Sequence, residues 1–135
     1  MSKSNATEND VLKMILMGVD PAWRANPNNF VALHSADPGE AGTQTTSEVA
    51  YTGYARVLVE KAAGWTDSGS NFPNSELLQF PQCTAGTAAA THFSVGTLVS
   101  GAGQILYSGA LAATLNISAG IQPQFSIAAL VCSED

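Results

Sequence analysis

Charge is what this sequence has least of. Asp, Glu, Lys and Arg make up only 12% of the residues, about half the usual share of a soluble domain. Five are basic (Lys3, Lys13, Arg24, Arg56 and Lys61), against eleven acids, for a net charge of −6. So few cations cannot neutralise a row of phosphates. Direct nucleic-acid binding and adhesion to an anionic membrane surface are therefore excluded as expectations. Long apolar runs are also missing. The stretch 11–19 is short and interrupted by Lys13, whereas a membrane-spanning helix needs roughly 20 apolar residues. The chain opens on the polar MSKSNATEND, not on the basic and apolar segments of a signal peptide, and synthesis in the cytosol is expected. Cysteine is scarce too. Cys83 and Cys132 are far apart and match no metal spacing, so both are read as free, buried, small apolar residues.

Alanine, glycine, serine and threonine fill the space that charge leaves. Hydrophobic residues reach 45% of the 135, enough for one domain that folds without staples. One helix is signalled near the start. Thr7 can cap it, with Asp10 three residues on and Glu8 in the acid-favouring first turn. Val11, Leu12, Met14, Ile15 and Met17 form a broad apolar face, and Gly18 is a natural stop. A helix this short needs a partner surface, either its own sheet or a neighbouring subunit. Leu12, Ile15 and Leu16 are the candidate contacts. A connector with two prolines follows over 19–29, with Trp23 as its anchor. The chain thus divides into a helix and connector, 1–29, and a β-domain, 30–135.

From Phe30 onward the pattern is β. Short alternating runs are expected at 30–34, 54–61, 65–67, 77–80, 91–98, 104–107, 111–117 and 124–132, separated by Gly, Ser and Pro turns. No strand–helix alternation is present, so a parallel α/β fold is excluded. The expected fold is mainly β: a single antiparallel β-sandwich, jelly-roll-like, of about eight strands, with one short N-terminal α-helix.

No reaction is legible. His34 lies beside Ser35, but neighbouring strand residues point to opposite faces and cannot form a triad. No G-x-S-x-G turn is present. Asp37 and Glu40 flank Pro38-Gly39, which reads as a turn more readily than as a calcium loop. No catalytic residue, metal or cofactor is expected. What stands out is the long polar connection 36–53 within ALHSADPGEAGTQTTSEVAYTGYARVLV (32–59). A loop this long in a small domain usually has a use. Asp37, Glu40, Gln44, Glu48, Tyr51 and Tyr54 are its candidate contact residues.

That stretch, together with Gly64-Trp65, FPQCTAGTAAATHFSVGT, SGAGQILYSGAL, the closing IQPQFSIAALVCSED and the early SNATENDVLKMIL, resembles a family of small tailed-bacteriophage virion structural proteins. Its members are commonly labelled tail fibre proteins. The resemblance covers nearly the whole chain and brings no catalytic residues with it. It implies a virion component that is not an enzyme. A compact domain with no shaft suits a capsid decoration, or cement, protein on the outer head surface. Its partner would be the major capsid protein, with self-association as a homo-oligomer, favoured as a trimer. The alternative is a tail fibre or a tail-associated receptor- or carbohydrate-binding module that uses Tyr51 and Tyr54.

Overall fold

The structure, a computed structural model, describes residues 2–134. It begins with helix α1 (Asn5–Met17) and one turn of 3-10 helix (Ala22–Ala25). Eight strands follow among the described residues: β1 (Asn28–His34), β2 (Val57–Glu60), β3 (Asn71–Pro73), β4 (Leu78–Gln79), β5 (Thr87–Gly96), β6 (Ile105–Ser118), β7 (Gln124–Phe125) and β8 (Val131–Ser133). Every pairing is antiparallel. Four strands form one sheet in the order β2-β1-β5-β6, and the other four pair as two ribbons, β3-β8 and β4-β7. The chain is mainly β with one N-terminal helix, as expected. The strands do not divide into the two four-stranded sheets of a jelly roll.

The sheet is covered on both faces, and the alternation of its central strands shows how. Along β1, Val31 and Leu33 point one way, while Phe30, Ala32 and His34 point the other. The register pairs Val31 with Val95 and Leu33 with Phe93 on the first face, and Ala32 with Ser94 and His34 with His92 on the second. The first face packs on Leu78, Phe80, Leu130 and Cys132 from the ribbons and their turns. Burying a side chain the size of Leu33 or Phe80 contributes about 1.5–3 kcal/mol. The second face carries Ala32, His34 and Ser94, all fully buried. Its cover comes from the 36–53 loop, where the Thr46 carbonyl meets the His34 ring and Gln44 bonds to the Phe30 carbonyl, while Ser47 and Val49 pair with Ser35 and Leu33 along the edge of β1.

Several sequence expectations need correction. The strand expected over 54–61 is only Val57–Glu60, because Tyr54 and Arg56 turn inward to bond with Glu48. Trp65 makes a single bridge to Asn74 in place of a strand, and β3 begins at Asn71, where no strand was expected. The two runs at 104–107 and 111–117 are one strand, since Ser108 and Gly109 keep the ladder with Ser94 and Phe93. The register slips further on, where only Thr91 lies between the partners of Ala110 and Leu115. The last run, 124–132, is split into β7 and β8. A turn closes there from Ala129 N–H to the Ser126 carbonyl, with Ala128 at φ 64.

Helix α1 starts three residues earlier than Thr7 would place it. Ser4 is the N-cap, its Oγ accepting from Thr7 N–H at 3.3 Å. Gly18 ends the helix in the left-handed conformation, φ 67, as its lack of a Cβ allows. Among the described residues no helix is long and apolar enough to cross a membrane.

Candidate functional site

The 36–53 loop was expected to be a contact surface. The structure sends most of its candidate residues inward. Gln44 is fully buried. Its Nε2 donates to the Phe30 carbonyl at 3.1 Å, and its Oε1 accepts from Leu98 N–H at 3.0 Å. Gly96 and Gly103 make the room: a Cβ on either would lie 2.1 or 2.0 Å from Gln44 side-chain atoms. Glu48 forms a two-pronged ion pair with Arg56, at 2.7 Å to Nε and 2.8 Å to Nη2. The Arg56 side chain is only 2% exposed, and it donates further to the Leu98 and Gly101 carbonyls.

The Tyr54 hydroxyl donates to Glu48 at 2.9 Å and accepts from Leu33 N–H at 3.1 Å. Burial, chiefly, pushes its ionisation far above the ordinary tyrosine range. The buried Tyr51 donates to the Pro81 carbonyl at 2.6 Å, and burial raises its pKa to about 12. The two rings pack edge-on, and Tyr54 stacks on Phe80, so neither presents a face to a sugar. Only Asp37 and Glu40 of the six stay exposed. Asp37 closes a turn by accepting from Gly39 N–H at 2.9 Å, and the Glu40 carbonyl accepts from Asn5 N–H. Among the described residues no group of three or more His, Cys, Asp or Glu could hold a metal ion.

His34 completes this buried layer. Its Nδ1 lies 2.8 Å from the Thr46 carbonyl, which can only accept, so Nδ1 carries the proton. Nε2 then accepts from Ser94 Oγ, also at 2.8 Å. The pair has the outline of a base and a hydroxyl, but both side chains are fully buried and no substrate can reach them. Burial holds the His34 pKa below its ordinary value. His92 bonds to Thr91 Oγ1. Both cysteines are free and buried, and burial pushes the Cys132 thiol up to about 12.

Helix α1 is the opposite case. It docks through its polar side. Ser4 Oγ and Thr7 Oγ1 each donate to the Ile105 carbonyl at 2.7 Å. Asp10 accepts from Trp23 Nε1 at 2.8 Å and from Gln104 Nε2 at 2.9 Å, and these bonds lower its pKa, Gln104 contributing most. The spacing of Ser4, Thr7 and Asp10 puts them on one face. The apolar face points away from the domain. Leu12 is 56%, Ile15 68% and Leu16 76% exposed, and Met17 and Val19 extend the strip. The three contact residues expected on this helix are therefore free of their own domain. The polar docking face was legible only as a weak capping signal, because its partner, Ile105, lies about a hundred residues downstream.

A second apolar feature escaped the sequence. A cleft of about 460 Å³ opens where the β3-β8 ribbon meets the sheet, lined by Trp65, Phe72, Val95, Leu106 and Tyr107. That size falls within the range of ligand pockets, roughly 300–1,000 Å³. At its edge Glu134 accepts from Tyr107 and from Lys3 at 2.6 Å. Burial works to raise the Glu134 pKa, but these two bonds and the Lys3 charge hold it below its usual value.

The described residues thus present a sheet covered on both faces and an outward apolar helix. No curated protein matches the chain. A family model described as "Podophage GP4 fiber I protein gp80" matches residues 2–133, nearly the whole length. That description names a fibre and says nothing of the capsid shell. The chain belongs to this podophage fiber I protein family, and is a fibre-type structural component of a phage virion.

Proposed function

We propose that the protein is a non-enzymatic subunit of a podophage tail fibre, a rigid β-module that joins other virion proteins through its exposed apolar helix. The family's description as a fibre protein supports a place on the tail over the cement role on the outer capsid that the compact domain suggested. The observation that carries the reading is helix α1. Its polar residues are spent inside the chain, while Leu12, Ile15 and Leu16 stand in solvent. Exposed apolar strips of this kind mark surfaces that another protein covers. Absence of catalysis is part of the proposal, supported by the closed Ser94–His34 pair. The 36–53 loop then serves as internal cover for the sheet, with Asp37 and Glu40 as its outward charges.

Electron cryomicroscopy of the intact virion, with copy number from a stained gel, tests the placement. Density for this domain at the tail, in a small multiple of the tail symmetry, is the expected result. Hundreds of copies on the icosahedral shell would restore the decoration role and the major capsid protein as partner.

A further inference from the structure

Two apolar surfaces of this chain have no partner within it, and they differ in shape. One is convex: the strip Leu12, Ile15, Leu16 on α1. The other is concave: the cleft between the β3-β8 ribbon and the sheet, where Phe72 stands 40% exposed. The strip cannot fold back into its own cleft, because Ser4, Thr7 and Asp10 pin the opposite side of the helix to Ile105, Trp23 and Gln104. We propose that the α1 strip of one copy seats in the ribbon–sheet cleft of a second copy, so that the chain assembles head to tail.

Charge favours this occupant. Four of the five basic side chains are engaged within the chain: Lys3 with Glu134, Arg24 with Asp20, Arg56 with Glu48, and Lys61 with the Trp23 and Arg24 carbonyls. Lys13, set between Leu12 and Met14 in the strip, makes no ion pair or side-chain hydrogen bond among the described residues. The cleft edge carries one acid that makes no ion pair among the described residues: Asp67 caps the turn that brings Gly69 and Ser70 to the wall, whereas Glu134 is already held by Lys3. A neighbour's Lys13 would therefore approach Asp67 while its leucines and isoleucine fill the apolar floor.

A contact between two different patches is heterologous. Repeated, it closes into a ring or continues as a filament. Its use in giving length to a fibre built from compact domains rests on the placement proposed above. The contact itself rests only on the two surfaces, and purified protein tests it apart from the virion.

Sedimentation equilibrium from micromolar to millimolar concentration is the measurement, on the full chain and on Leu16→Asp and Phe72→Glu. Ser70→Arg, an exposed change at the cleft wall, serves as a second cleft variant should Phe72→Glu unfold. The expected result is a wild-type mass that rises with concentration above the 13.9 kDa monomer, and a monomer for each variant alone. An equimolar mixture of the helix variant with a cleft variant should give a dimer and nothing larger, since it retains one good helix and one good cleft. A wild type that stays monomeric overturns the proposal, including one that gains mass only with another virion protein. So does a cleft variant that still self-associates, which would mean helix pairing with helix.

Discussion

Residues 36–53 include three acids, glutamine and a run of threonines, yet Gln44 is fully buried and Glu48 faces an arginine that is nearly so. Residues 12–17 include two leucines, an isoleucine and two methionines, yet Leu12, Ile15, Leu16 and Met17 are more than half exposed. The two regions invert the usual relation of polarity to burial. The loop goes inside because each polar group it brings finds a partner there: Phe30 and Leu98 for Gln44, Arg56 and Tyr54 for Glu48. A buried polar group is costly only when it is left unpaired. The helix turns its apolar side out because Ser4, Thr7 and Asp10 have buried acceptors and donors waiting, and its leucines have none in this chain. What decides burial in both regions is the partner supplied by the rest of the fold.

The sharpest way to break the contrast is to strand a charge in the loop layer. Glu48→Ala leaves Arg56 buried without its carboxylate. We expect a loss of about 3–5 kcal/mol, read from the urea midpoint. Gln44→Ala leaves the Phe30 carbonyl and Leu98 N–H unpaired in a closed space. Each such group costs about 1–3 kcal/mol, so a loss of about 2–6 kcal/mol is expected by the same measurement. Gly96→Ala should act in the same direction, because its Cβ would meet Gln44 at 2.1 Å.

The pH dependence follows from His34. Burial lowers its folded pKa beneath the ordinary value of about 6.5. Below that pH the unfolded chain binds a proton that the folded chain refuses. Stability is therefore full above about pH 7 and falls as pH drops through about 6.5, by at most about 1.4 kcal/mol per pH unit, until the folded pKa is reached. Denaturant midpoints measured across this range should show the slope, and His34→Gln should flatten it.

The smallest effect belongs to the helix. Leu16→Asp should shift stability by no more than about 0.5 kcal/mol. A large loss there would mean that Leu16 packs within its own chain, and the contrast between the two regions would fail.

Local signals were legible wherever local physics settles the outcome. Gly18 ended α1 as expected, since the left-handed cap needs only the residue itself. Val59 went inside and Leu58 outside on the alternation of β2. The helix start was misplaced because Ser4 and Thr7 are both good caps, and the Ile105 carbonyl binds both. The last strand was misread because Ala128 adopts a positive φ that nothing in an alanine announces. The core role of Tyr51 and Tyr54 was equally hidden, since a tyrosine in a polar loop reads the same whether its hydroxyl meets water or a buried carboxylate.

By itself the sequence determined a mainly β chain with one short helix, poor in charge. Those follow from composition, period and turn chemistry, which act over a few residues; the phage structural kind was legible only as a resemblance of whole sequence blocks to a known family. Only the tertiary structure decided that the long loop is a cover and the helix an outward strip. Burial depends on which hydrogen-bond partners the chain brings together across long separations. Gly96, Gly103, Ile105 and Arg56 had to be in place before Gln44, Thr7 and Glu48 could go inside and leave Leu12, Ile15 and Leu16 without cover.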